Sequence, residues 1–318
     1  MDTLYFLVQN MMFFSIPLLV VALAAMFSER SGVINIGLEG IMVMGAFAGT
    51  IYLHFSGLDK TNTLSNLMIA ILLSILAGGL YSALHAFASI NMLADQTISG
   101  TAINMFSSAF AIFVARSLVG IQQIQFSGDY RFEKIPVLGN IPIIGPMFFQ
   151  NAYITNYLGI LILIVSWFVL YNTRFGLRLR SAGEFPQATD AAGISVKKIR
   201  WAGVLLSGAL GGLGGLAFIV PISTEFNGSV AGYGFLAIAV LIFGQWKPGL
   251  IALSAFFFGI LKTISSAYTS IPVLNNLGIP QVVYQIMPYV ITLVVLFLTS
   301  KKSAAPAAEG QPFDKGKR

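Results

Sequence analysis

Long apolar stretches separated by short polar interruptions dominate the chain and predict helices that cross a membrane. Nine such segments run near 9–27, 32–55, 64–90, 97–119, 152–171, 201–221, 232–245, 248–267 and 282–300. A hydrocarbon core ~30 Å thick takes about 20 apolar residues of helix. The seventh segment is short and broken by glycines, so spanning and re-entrant readings both stay open for it. The pattern predicts an all-α polytopic membrane protein. A single transmembrane domain fills residues 1–300, and residues 301–318, mixing Ala, Pro, Gly and both charges, form a disordered tail.

One segment breaks the apolar rule from within. Residues 32–45, GVINIGLEGIMVMG, carry Asn35 and Glu39 and are punctuated by Gly37, Gly40 and Gly45. A helix starting near Ser31 at ~1.5 Å per residue puts Glu39 roughly 12 Å into the membrane, close to mid-depth. Four residues apart, Asn35 and Glu39 then share one helix face. An acid at a helix centre costs about 3 kcal/mol, and each apolar neighbour returns up to about 0.3–0.6 kcal/mol, so the segment still inserts. Intramembrane acids face a bundle interior or a water-filled path, which leaves two roles for Asn35 and Glu39: lining a path, or bracing helices as hydrogen-bonded struts.

Composition agrees with a membrane protein: 56% of residues are hydrophobic and 9% charged, against ~25% charged in soluble domains. With no cysteine and two histidines, His54 and His85, the chain lacks thiolate chemistry and a convincing metal set. The net charge of +6 does not point to nucleic acid, because its distribution follows topology. Thirteen of the 18 Lys and Arg lie in the loop 172–200, in the tail after Thr299, or at Arg30 and Lys247. Nine crossings put all of these on one side, so the positive-inside rule predicts an external N-terminus and a cytoplasmic C-terminus. The N-terminus lacks the basic start of a signal peptide and reads as a retained span.

Two hydrophilic loops stand out. Residues 121–151 form an external loop with three prolines, read equally as a cap over the outer mouth or a plain connector. The loop 172–200 contains a short helix from Glu184 to Ala192, with Pro186 in its first turn, Glu184 and Gln187 as capping candidates, and Gly193 as its end. Alone it reads as a basic loop fixing topology or as a docking helix with Glu184, Ala188, Ala191 and Ala192 on its surface. Asp95 is a candidate N-cap for the fourth segment, and Asn104, deeper in it, either bridges helices or lines a path. The glycines of residues 203–215 suit close helix packing. The second and seventh segments are both glycine-broken and run in opposite directions, a pattern that points to a midplane pathway between inverted halves, although no residue-by-residue match links the halves.

Four separated stretches carry a family likeness: GVINIGLEGIMVMGAF (32–47), DQTISGTAINMF (95–106), RLRSAGEFPQATDAAGIS (178–195) leading into SGALGGLGG (207–215), and GYGFLAIAVLIFGQWKPG (232–249). In this order they resemble permease subunits of ABC importers, in the branched-chain amino acid, simple-sugar and nucleoside group, and most of all the nucleoside type. The resemblance implies that residues 183–193 form a coupling helix, with Gly183, Glu184, Ala191 and Gly193 matching the family pattern and Phe185 and Asp190 departing from it. It also implies that the element carrying Asn35 and Glu39 lies beside the translocation pathway, of which Asn35, Glu39 and Asn104 are the candidate lining residues.

The chain has no GxxxxGK[ST] sequence, so no cofactor is expected in it, and ATP would be bound by a separate ATP-binding subunit. Further implied partners are a second permease chain in a heterodimer, an extracytoplasmic solute-binding lipoprotein and membrane lipid. The expected setting is a prokaryotic cytoplasmic membrane. The function read from this is import of a nucleoside by alternating access. Riboflavin, a simple sugar or a branched-chain amino acid are the alternatives, and a proton-coupled carrier using Glu39 is the alternative from another class. An intramembrane enzyme lacks the motifs for a nucleophile or metal.

Overall fold

The computed structural model describes residues 2–56, 63–128, 130–268, 280–299 and 305–314 of the chain. Helix α1 (Asp2–Glu29) is the axis of the bundle. It is apolar on all sides and residues 14–29 are all buried, as a helix without a polar face must be. It packs against α8 (Val196–Ile222), α10 (Pro248–Ala267), α9 (Tyr233–Phe243) and α5 (Ile154–Asn172). Against α8 stand α2 (Leu38–Ser56) and α3 (Thr63–Ala86), which runs on through a π turn (Phe87–Asn91), and α4 (Gln96–Val119) packs on α2. The helices α6 (Arg174–Glu184) and α7 (Pro186–Ala191) join α5 to α8, and α11 (Gln281–Thr299) closes the described helices.

Among the described residues seven helices are long and apolar enough to cross a membrane: α1 to α5, α8 and α10. Helix α9 has 11 residues, which at 1.5 Å each is ~16 Å, about half a hydrocarbon core. Not everything outside the helices is irregular. Strand β1 (Ile124–Gln125) pairs with β4 (Glu225–Phe226), and β2 (Arg131–Lys134) pairs with β3 (Gln150–Tyr153), both antiparallel. The loop 121–151 is therefore partly built as sheet and tied to the chain after α8.

The centre of the bundle is glycine-lined. Gly45 on α2, Gly78 on α3 and Gly212 on α8 meet backbone to backbone, and a Cβ on any of them would overlap its neighbours' main chain. Gly215 likewise lies against the Met42 carbonyl. Small residues let membrane helices approach this closely and gain dispersion contacts that lipid cannot replace. The packing reading of residues 203–215 holds.

Two expectations are corrected. The second apolar segment is not one helix from Ser31: residues 30–37 are turn and extended backbone, and α2 begins only at Leu38. Residues 305–314 of the tail are ordered. Phe313 is buried with Ala182 and Val196, Ala308 N–H donates to the Gly183 carbonyl at 2.8 Å and Gly310 N–H to that of Gly32 at 3.2 Å. Residues 301–304 and 315–318 lie outside the described residues. These contacts bring the tail, residues 30–32 and residues 183–184 to one end of the bundle, where α1 also finishes.

Candidate functional site

The non-helical stretch 33–37 enters the bundle as bare backbone, and inside a membrane every such polar group needs a protein partner. Val33 O accepts from Ser28 Oγ at 2.7 Å. Ile34 N–H donates to Gln96 Oε1 at 2.7 Å, while its carbonyl meets His85 Nε2 at 2.8 Å. The Ile36 carbonyl accepts from Asn104 Nδ2 at 2.9 Å, and Asn104 Oδ1 accepts from Gly40 N–H at 2.7 Å. Asn104 thus spans the break: one end of its amide holds the stretch and the other caps the first turn of α2. His85 and Gln96, both buried, pin the stretch from α3 and α4. Asp95 caps α4 through Thr97 N–H and Ile98 N–H, at 2.8 and 2.9 Å.

Asn35 and Glu39 do not share a helix face, because Asn35 lies in the non-helical stretch before α2. It is fully buried and donates to Ser207 Oγ on α8 at 3.0 Å, while its Oδ1 has no partner among the described residues. Glu39 sits in the first turn of α2. It lies about halfway along the bundle. Neighbouring Leu38 lies against Gly211, 15 residues after the start of the 27-residue α8, so ~22 Å along a helix of ~40 Å.

At that depth the carboxylate of Glu39 meets a second broken element. The chain between β4 and α9 descends without helix, with Ala231 at φ 53° and Gly232 at φ 77°. Gly232 N–H donates to Glu39 Oε1 at 2.9 Å and Gly234 N–H to Oε2 at 2.7 Å. Glu39 is therefore the N-terminal cap of α9, supplied from 193 residues away. Free N–H groups and the positive end of the helix dipole make that terminus a natural seat for a carboxylate. Gly234 is what permits the approach, since a Cβ there would lie 2.5 Å from Glu39 N and Cα. The full-length α2 and the half-length α9, each preceded by non-helical chain, thus start beside one another and touch through Glu39. Helix N-termini that meet at breaks inside a bundle are one way transporters build solute sites.

The other end of α9 is held by the same corner of the chain. Gln245 and Trp246 both take left-handed backbone, φ 48° and 53°, at a cost of roughly 1–2 kcal/mol each. Trp246 Nε1 donates to Glu29 Oε2 at 2.6 Å, and its carbonyl accepts from Arg30 Nη2 at 3.0 Å. An acid from one side of the 30–37 stretch thus caps the start of α9, and a cation from the other side binds just beyond its end, both with the favourable dipole sign. Arg30 also pairs with Glu184 at 3.5 Å. Burial lowers the Arg30 pKa and raises that of the Glu309 carboxyl nearby.

The segment 183–193 is organised differently from its sequence reading. Gly183 and Glu184 end α6, and the short helix is α7 from Pro186 to Ala191. Phe185 is its N-cap residue without any side-chain bond, so Glu184 does not cap it; it is engaged by Arg30 and by Ala307 N–H. Gly193, at φ 79°, closes α7 as glycine can. Phe185, Gln187, Ala188, Ala191, Ala192 and Gly193 are exposed together, and Phe185 is 68% exposed.

Sequence reasoning brought forward Asn35, Glu39 and Asn104, and the structure gathers all three around the start of α2. It missed Gly232, Gly234, His85, Gln96, Ser207, Glu29 and Trp246. The GYG of residues 232–234 was the one available signal, since its glycines flank the start of α9.

Comparison with known proteins extends to nearly the whole chain. Residues 7–297 match the family described as the permease component of the branched-chain amino acid transport system. The nucleoside ABC transporter permease protein NupC of Lactococcus lactis is 41% identical over 318 residues, covering 99% of each chain. The guanosine ABC transporter permease protein NupQ of Bacillus subtilis is 40% identical, covering 96% of this chain and 95% of its own. A second guanosine permease of that organism, NupP, is 25% identical over 89% of this chain and 78% of its own. No solved structure matches.

Proposed function

The chain belongs to the family of branched-chain amino acid transport system permease components, and from that premise we propose how this ABC importer permease works and what it carries. It is a multi-pass protein of the bacterial cell membrane. Its solute is a nucleoside. The observation that carries this is full-length identity of about 40% to two chains named for nucleoside and guanosine transport.

Nine crossings complete the topology. Non-helical residues followed by α2 make up the second, non-helical residues followed by the half-length α9 make up the seventh, and α11 makes the ninth. The end bearing Arg30, α7 and the tail faces the cytoplasm and the N-terminus faces outside, in line with the basic residues there. A separate ATP-binding subunit contacts α7, whose exposed face is small and apolar beside Phe185. A solute-binding lipoprotein delivers from outside. The second permease is a different chain, as the two guanosine permeases of Bacillus subtilis suggest.

In this reading the junction of α2 and α9 is the bistable element. ATP-driven movement of α7 reaches it through Glu184, Arg30 and Trp246, and Asn35, Glu39 and Asn104 border the path. A small bias from the partners suffices to switch such an element. Reconstitution with the ATP-binding subunit and second permease should give ATP-dependent uptake of labelled guanosine. Uptake driven by a pH gradient alone, without ATP, would instead make the chain a proton-coupled carrier.

A further inference from the structure

The ordered tail segment 305–314 sits where α6, α8 and the chain leaving α1 converge. Ala307 N–H reaches Glu184 Oε2 at 3.2 Å, and Ala308 N–H reaches the Gly183 carbonyl at 2.8 Å. Gly310 N–H bonds to Gly32 O, and Gln311 O accepts from Arg200 Nη1 at 2.8 Å. Phe313 then fills an apolar site between Ala182 of α6 and Val196 of α8. In ten residues the segment touches the end of α6, the start of α8 and the chain leaving α1.

Two features tie this segment to the rest of the fold. Arg200 is 2% exposed, and its guanidinium donates through Nη1 to Gln311 O, while Nε and Nη2 meet no partner among the described residues. The tail thus supplies that hydrogen bond, and removing it exchanges the bond for solvent contact at the start of α8. Gly183 has its carbonyl used by the tail and its Cα pressed on the Arg30 carbonyl, with no room for a Cβ. The root of the α7 segment is thus clamped between the tail and the Arg30 corner, and that corner holds Trp246 beyond the end of α9.

We infer that residues 305–314 are a positioning strap: they hold Gly183 and Glu184 on Arg30 so that movement of α7 is delivered to α9 instead of being lost in a loose loop. This rests on the proposed ATPase contact at α7. The strap makes no use of a distinct ligand, and its bonds are mostly to backbone, so it sets geometry and not solute choice.

The natural absence of cysteine makes the docking directly testable. Ala182→Cys with Phe313→Cys, placed in the full chain within the assembled transporter, should be joined by a short bifunctional thiol reagent, and the cross-linked transporter should still import. Termination after residue 304 should leave ATP hydrolysis running while solute imported per ATP falls by about fivefold or more. Phe313→Ala should lower the same ratio and Phe313→Leu should restore it, which covers the case of a truncated chain that fails to assemble.

No cross-link in assembled transporter overturns the strap. So does an unchanged ratio in both the truncated and Phe313→Ala forms. A cross-link that forms but stops import overturns positioning in favour of an inhibitory tail. The cross-link is read without any solute, so failure of the full-length chain to import nucleosides counts against the proposed function and leaves the docking result standing.

Discussion

Replacing Glu39 by Gln keeps the side chain's length and removes one of its two acceptors. The carboxylate takes N–H bonds from Gly232 and Gly234 at 2.9 and 2.7 Å. Bonds to a charged acceptor are worth about 1.5–3 kcal/mol each, and a neutral bond about 1 kcal/mol. Gln keeps one neutral bond and turns its NH2 toward the second N–H, where two donors face each other. The capped junction then loses about 3 kcal/mol, which at 1.4 kcal/mol per decade is about a hundredfold shift against it. Glu39→Ala loses both bonds and should be worse, and Glu39→Asp, one methylene shorter, should fall between wild type and Gln. The assay is thermal unfolding of the purified chain in detergent beside ATP-driven uptake in proteoliposomes. The cap predicts that both fall in the order Glu, Asp, Gln, Ala. If Glu39→Gln melts with wild type and imports within about twofold of it, the carboxylate does not hold α9 and the reasoning fails.

Trp246→Phe removes the indole donor from Glu29 while keeping the ring; leaving this buried acceptor without its bond predicts about 1–3 kcal/mol of destabilisation, read as a lower melting temperature. Gly212→Val should prevent folding, because a Cβ there enters the main chain of α3, whereas Gly79→Ala, whose nearest contact would be 3.9 Å, should be tolerated and gain up to about 1 kcal/mol of helix propensity; expression of monodisperse protein distinguishes the two. Asn104→Leu strips two bonds from the break before α2 and should cost about 2–4 kcal/mol, with accelerated hydrogen exchange at Gly40 as its local sign.

Much of the scaffold was legible because membrane helices announce themselves by composition. Seven of the apolar segments hold a helix long and apolar enough to cross a membrane among the described residues, and the seventh segment holds only the short α9. Breaks were legible as glycines, and Glu39 as an acid where hydrocarbon should be. The partner of Glu39 was not legible, because it is backbone: N–H groups of residues 232 and 234 carry no side-chain signature. The start of α2 was misplaced for a related reason. Residues 33–36, VINI, are apolar enough to read as helix, and only tertiary bonds from Ser28, His85, Gln96 and Asn104 make extended backbone affordable there.

The tail misled in the opposite way. Alanine, proline and glycine with mixed charge ordinarily fail to bury enough surface to order a chain. Here three backbone N–H groups find acceptors on a preformed surface, and a single Phe313 supplies the apolar anchor. Glu184 was read as a helix cap, whereas Arg30 and the tail engage it, which depends on where α1 ends relative to α6. No local pattern encodes that.

The account stands on import of a nucleoside driven by ATP. The most direct measurement is uptake of radiolabelled guanosine by proteoliposomes holding this chain, its second permease and the ATP-binding subunit, with ATP inside and competing solutes outside. Accumulation that requires ATP, is displaced by unlabelled nucleosides and is untouched by glucose or leucine is the predicted result. ATP-dependent accumulation of glucose or leucine with none of guanosine would contradict it.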